Sequence, residues 1–317
     1  MKKKSFSFKN INVINIVIFI ILALYTLSVF SILAWAILTS LKSTLDFTDM
    51  GNVLGLPDWN LSAEEIKLGN YTSILEKFIT PTDSKNYYSA IWGEIQRPQL
   101  NVDLFGMLFN TFLYAGVGNL VYTFVSMTMG YMCAKYKYKF SSFLYILMVV
   151  VMALPIVGSQ PAELAMMKDL GIYDSVVGMM AHKINFTGMY FLVFYAFFVG
   201  FSDTYLEAAQ IDGASQFYSF LHIVVPLSAK LMGTVFLITF IGSWNDYQTP
   251  LLYYPSYPTI AYGVFRMSSN TIFGDSLTQG VPARVAASML LAIPTMVVFV
   301  IFRNVVMGDL SLGGLKE

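Results

Sequence analysis

The sequence is poor in charge, in histidine and above all in cysteine. Only 12% of its 317 residues are charged, and 19 cations balance 19 anions. That balance removes any global attraction to nucleic acid, and so small a charged fraction lies far below that of a soluble domain. The lone cysteine, Cys133, excludes an internal disulfide and any cysteine-based metal cluster. Two histidines stand far apart with no clustered carboxylates, so no metal site is expected. No internal repeat or low-complexity tract is evident.

What fills the chain instead is apolar. Hydrophobic residues make up 56%, and the mean hydropathy is +0.62, which describes an integral membrane protein. Six stretches satisfy the roughly 20 apolar residues a bilayer requires, near Ile11 to Leu41, Phe105 to Ala134, Phe140 to Gly158, Val176 to Val199, Ser228 to Pro250 and Ala283 to Phe302. The expected fold class is therefore all-α, a polytopic membrane protein with six transmembrane helices. The first stretch follows Lys2, Lys3, Lys4 and Lys9, but its apolar run exceeds a signal core and "TSLKS" offers no small-x-small cleavage site. A retained anchor is expected.

Cations set the orientation. The N-terminal lysines and the cluster Lys135, Lys137, Lys139 are separated by two spans, and both fall on the cytoplasmic side under the positive-inside rule. Both termini are then cytoplasmic, and residues 1–10 form a cytoplasmic tail. The segment 42–104 lies outside and, from runs such as "SAEEIKLGNYTSILEKF" punctuated by Gly51, Gly55, Pro57 and Pro81, is expected to be a small helical cap. "NLS" at Asn60 fits a glycosylation sequon that carries little weight in a bacterial-looking protein. A second outer loop, 253–281, is rich in Tyr, Ser, Gly and Pro and should be structured.

One cytoplasmic loop, 200–227, differs from its surroundings: "YLEAAQIDGASQFYSFLHIVVPL". Thr204 or Asp203 can cap a helix start, Thr204 with Glu207 has the spacing of a capping box, Asp212-Gly213 forms a natural stop, and Ser215 can cap a second helix. In that helix Phe217, Phe220, Leu221 and Val224 make one apolar stripe, and Pro226 ends it or bends it into the fifth span. Two short helices with a bend would thus display Glu207, Ala208 and Ala209 outward. Interfacial lipid-binding helices are usually rich in Lys and Arg, whereas this loop carries Asp203, Glu207 and Asp212, so a docked protein partner fits better.

These residues carry a resemblance. "EAA" followed by Asp212-Gly213-Ala214-Ser215 and Ile223 to Pro226 resembles the coupling loop of ABC importer inner-membrane permeases. Nearly the whole chain is similar to the carbohydrate type, and within it to the maltose-type second permease. "NTFLYA" at Asn110 to Ala115, "SWNDYQTPLL" at Ser243 to Leu252 and the glycine-bearing tail at Gly313-Gly314-Leu315-Lys316 support it, the tail departing from the usual ending. The resemblance implies a type I ABC importer permease fold, with 11–317 as a single transmembrane permease domain in a bacterial cytoplasmic membrane. It also implies a second homologous permease, a cytoplasmic ATPase dimer and an extracytoplasmic sugar-binding protein as partners. Glu207 would hold the loop in the ATPase cleft, Ala208 and Ala209 would permit close approach, and Asp212 with Gly213 would set the bend. The sequence has no G-x-x-x-x-G-K-[ST] phosphate loop, so the chain is expected not to be an enzyme, with ATP and Mg on partner subunits and no cofactor of its own.

Polar residues within the spans form a group apart from that loop. Asn245, Asp246 and Tyr190 are the candidates for the pore or substrate path, with Phe194 and Tyr195 as further ring faces for a sugar. His182, Lys183 and Asn185 interrupt the fourth span, and Lys183 is expected to snorkel from near its outer end. Trp244 fits an interfacial aromatic belt. Two other functions stay open: an ion-gradient-driven secondary transporter, whose paired broken helices are not evident here, and an ABC permease for a non-sugar solute.

Overall fold

The computed structural model describes residues 13–58, 69–82, 85–136, 138–154, 158–185, 188–269 and 280–308. It is predominantly helical and divides into two compact units, Met1–Glu76 with Phe273–Leu290 and Lys77–Ile272 with Leu291–Glu317. The N-terminal lysines, Asn60 and the C-terminal tail lie outside the described residues.

In the first unit the Val13–Ser40 helix is apolar all round and exposed along most of its length, as a helix in lipid should be. The chain then turns on Lys42. Its ammonium is buried yet satisfied, donating to Asn52 O at 2.6 Å and Val53 O at 3.3 Å. Asn70 locks the same turn by donating to Ser40 O and Lys42 O at 2.8 and 2.7 Å.

The second unit is built around the Leu104–Lys135 helix. Asp103 caps it, its carboxylate accepting from Gly106 N at 2.8 Å. Its neighbour, the Met189–Val199 helix, approaches at Gly130, where a Cβ would lie 2.8 Å from Phe194 Cβ and 2.9 Å from Tyr195 N. Only glycine lets the two backbones come so near, and small residues serve this purpose between membrane helices. Met127, Tyr131, Phe194, Phe198, Val224 and Val235 form the core there. At the other end Asn110 donates to Pro258 O at 3.1 Å and Thr111 accepts from Ile260 N at 2.9 Å, anchoring the loop that leads into the Ile260–Ser268 helix. Of the expected outer loop 253–281, residues 253–269 hold the Ile260–Ser268 helix, and 270–279 lie outside the described residues.

Several expectations change on contact with the structure. Four helices among the described residues are long and apolar enough to cross a bilayer: Val13–Ser40, Leu104–Lys135, Gln216–Trp244 and Val281–Phe302. The Lys139–Ala153 helix, in the place of the expected third span, is apolar but has only 15 residues. At 1.5 Å each it reaches about 22 Å, short of the roughly 30 Å of a hydrocarbon core. The expected fourth span is two helices, Val176–Lys183 and Met189–Val199, with Ile184 and Asn185 non-helical between them. Segment 42–104 is not a purely helical cap. It holds the Gly69–Lys77 helix but also two antiparallel strand pairs, Thr80–Pro81 with Asn101–Val102 and Lys85–Ser89 with Gly93–Arg97. The second pair reads as strand in hindsight, since Asn86 and Tyr88 are exposed while Tyr87 and Ser89 are buried. Tyr87 donates to Tyr173 O at 2.9 Å and Ser89 to Asp169 O at 3.0 Å, partners some 80 residues away that no local pattern announces.

Candidate functional site

Two polar places stand out in this apolar unit. The first is the bent segment. After Met189–Val199 the chain turns by 67° into the Thr204–Ile211 helix. Lys135, the last residue of the Leu104–Lys135 helix, ties the corner by donating to Phe201 O at 2.5 Å and Asp203 Oδ1 at 2.6 Å. Its side chain is 11% exposed, so the ammonium is largely out of water. The capping box does not form. Asp203 occupies the cap position without a side-chain cap bond, its carboxylate being turned to Lys135 instead.

Glu207 and Ala208 are exposed, whereas Ala209 is buried, against the expectation that all three point outward. Helical spacing explains it: Leu206 and Ala209, three residues apart, share the face turned inward. Gly213 makes the bend at φ 80°, and nothing lies within 4 Å of where its Cβ would be. Backbone handedness rather than space therefore demands glycine there. Ser215 caps the following helix, accepting from Tyr218 N at 3.2 Å. The apolar stripe is only half used, with Val224 buried and Phe220 against Tyr131 at 5.3 Å between ring centroids, while Phe217 and Leu221 are exposed. Pro226 neither ends nor breaks the helix. The π-helical turn Phe220–Val224 precedes it, widening the backbone ahead of the proline, and Gln216–Trp244 runs on as one helix. A hollow of about 290 Å³ lined by Tyr131, Lys135, Asp203, Glu207 and Gln216 lies between this segment and the helix end.

The second place is a cleft of about 400 Å³ toward the opposite end of the same helices, lined by Tyr114, Asn119, Tyr122, Lys183, Tyr190 and Ser243 among others. A π-helical turn at Phe112–Val117 carries Tyr114 into it, and such turns often mark functional places in helices. Lys183 does not snorkel. Its stem crosses Gly118, where a Cβ would be 3.0 Å from Lys183 Cγ, and its ammonium lies over the Tyr114 ring, 4.0 Å from the centroid. From there it donates to Ser243 Oγ at 2.9 Å and to Asn119 Oδ1 at 3.4 Å.

Asp246 stands behind the cleft, accepting from Tyr114 OH at 2.7 Å and Thr249 N at 3.1 Å. Tyr190 lines the cleft edge-on to Tyr122, with ring centroids 6.2 Å apart. Asn245 is exposed and bonds back to Ile241 O of its own helix. Phe194 is core, and Tyr195 packs on Tyr145 with ring centroids 4.5 Å apart. Trp244 is buried rather than interfacial, donating to Leu291 O at 3.0 Å. Just beyond this region, burial and the neighbouring Glu163 push Tyr253 up to about 12, so it stays a phenol and donates to Glu163 at 2.9 Å. Sequence reasoning missed Asn119, Tyr114 and Ser243. The signal that pointed there was Lys183 itself, a cation inside an apolar run.

This architecture is that of an ABC importer permease. It matches a chain of a bacterial ABC transporter involved in the import of the acidic polysaccharide alginate, with a TM-score of 0.70 over 95% of this chain and 99% of that one, at 18% identity. The family model for binding-protein-dependent transport system inner membrane components matches residues 126–311, and the chain belongs to that family. Among named relatives, the sn-glycerol-3-phosphate transport system permease protein UgpE of Pectobacterium atrosepticum is 30% identical over 69% of this chain and 80% of its own length. The arabinooligosaccharides transport system permease protein AraQ of Bacillus subtilis is 22% identical over 67% and 74%. These relatives are transport permeases rather than enzymes, and this chain is likewise a multi-pass membrane component.

Proposed function

We propose that this chain is one of two homologous permeases of an ATP-driven importer in a bacterial cytoplasmic membrane. It spans the bilayer six times with both termini cytoplasmic, the short Lys139–Ala153 and Met189–Val199 helices completing their crossings with flanking residues, and forms part of the path for a carbohydrate delivered by an extracytoplasmic binding protein. ATP and Mg are held by a separate ATPase dimer. The relatives and the structural neighbour are named for a polyol phosphate, an oligosaccharide and a polysaccharide, all polyhydroxylated, which supports a carbohydrate solute.

The observation that carries the reading is the bent segment. An exposed carboxylate, Glu207, and the small exposed Ala208 sit on a short helix that Lys135 and Asp203 lash to the end of a membrane helix. Such an arrangement moves as one piece with that helix. A force applied to Thr204–Ile211 by an ATPase reaches Leu104–Lys135 directly, and Gly213 with Asp212 keeps the second arm at its angle. Tyr190 lines the path, Asp246 supports it from behind, and Asn245 borders it at the adjoining helix end. Loop 253–281 faces the binding protein.

The test is affinity purification of the chain from its native membrane in mild detergent, with the copurifying polypeptides weighed and the complex assayed for ATPase. A second permease and an ATPase subunit are expected, with solute-stimulated hydrolysis lost in Glu207→Lys. A solitary chain that carries solute on an ion gradient overturns the reading.

A further inference from the structure

We propose that the Lys183 cleft receives the anionic group, a carboxylate or a phosphate, of an acidic carbohydrate. This rests on the cleft being part of the path, and it adds the charge of what passes. The cleft wall carries the Lys183 cation, and no carboxylate is among its lining residues. Among the described residues none comes within 4.0 Å of the Lys183 ammonium as an ion-pair partner; its polar contacts are the neutral Ser243 and Asn119 oxygens and the Tyr114 face. Asp246, the nearby acid, is spent elsewhere: one oxygen accepts from Tyr114 and the other from Thr249 N. It lowers the cost of keeping a cation inside the bundle without covering it.

The holding of Lys183 is a built feature. Gly118 leaves room for its stem, the wide turn at Phe112–Val117 offers the Tyr114 ring beneath its head, and Ser243 takes one of its three donors at 2.9 Å. A cation held away from bulk water gains far more from an anion than from a hydroxyl, because charge-assisted bonds are about twice as strong as neutral ones. Tyr122 and Tyr190 supply rings for the sugar body beside it.

The experiment uses the whole purified transporter complex in nanodiscs, without the binding protein. It is titrated calorimetrically with a glucuronosyl disaccharide, its carboxyl-reduced neutral counterpart and a phosphorylated disaccharide. At least one anion is expected to bind about tenfold tighter than the neutral sugar, the scale of one charge-assisted hydrogen bond, and the two anionic arms separate carboxylate from phosphate. Lys183→Met is expected to erase that preference and Lys183→Arg to keep most of it. Should the Met variant not assemble, Gly118→Ala decides, since it presses on the Lys183 stem and should weaken anion binding alone. Equal binding of all three sugars overturns the proposal. So does a preference that survives both Lys183→Met and Gly118→Ala. ATP-driven uptake by the same complex tests the importer reading separately: intact anion preference without uptake sinks that reading alone, and uptake indifferent to charge sinks this one alone.

Discussion

The bent segment and the Lys183 cleft are both polar islands in an apolar unit, yet they are made in opposite ways. The first is mostly contiguous: Glu207, Gly213 and Ser215 lie within ten positions of one another, and the Lys135 tie reaches it from another helix. The second is assembled from Tyr114, Asn119, Lys183, Ser243 and Asp246, brought together from three separated stretches of chain. The one is therefore expected to be sensitive to backbone geometry and exposed charge, the other to single buried contacts.

The largest effect should come from the bent segment. Gly213→Pro forces φ from 80° to near −65° and should abolish uptake while the chain stays in the membrane fraction by immunoblot. Glu207→Lys should do the same with no loss of thermal stability, because that side chain is exposed. Normal uptake by both would remove this segment from the mechanism. Next, Gly130→Val sets a branched side chain against Phe194 and the Tyr195 backbone. It should cost about 1–3 kcal/mol, seen as a lower midpoint of thermal unfolding in detergent.

Lys135→Met sharpens the comparison because it severs the tie between membrane helix and bent segment without touching Glu207. Asp203 is 67% exposed, so the pair itself adds little stability. Stability should hardly move, while solute stimulation of the ATPase falls severalfold; unchanged stimulation would show that force travels by another contact. The smallest effect should be that of Asn245→Ala, where one bond to its own helix at an exposed site is lost. That is worth a few tenths of a kcal/mol, and uptake by Tyr190→Ala should fall further than by Asn245→Ala.

How much was legible follows the same division. Gly213 and Ser215 could be read because a left-handed stop and a helix cap are properties of a few adjacent residues. The Thr204/Glu207 capping box does not form because the helix starts one residue earlier, at the cap Asp203, whose carboxylate is held by Lys135, 68 positions away. Lys183 was assigned to snorkelling since a long cationic side chain near a helix end usually does so, and only the neighbouring Gly118 and Tyr114 show why it turns inward. Hairpin residues 85–97 escaped notice because the weight of a helical composition hid one short alternation.

The amino-acid sequence by itself determined that this protein lives in a membrane, that its apolar runs are helices, and that one loop near residue 207 holds two short helices turning on a glycine. Those are consequences of composition, period and local turn chemistry. Only the tertiary structure decided which polar groups meet: that Lys183 lies on Tyr114 beside Ser243, that Asp246 stands behind it, and that Lys135 holds the corner at Asp203. The reason is physical. In an apolar bundle a polar side chain must find a partner, and which one it finds depends on where glycines such as Gly130 and Gly118 let helices and side chains draw close.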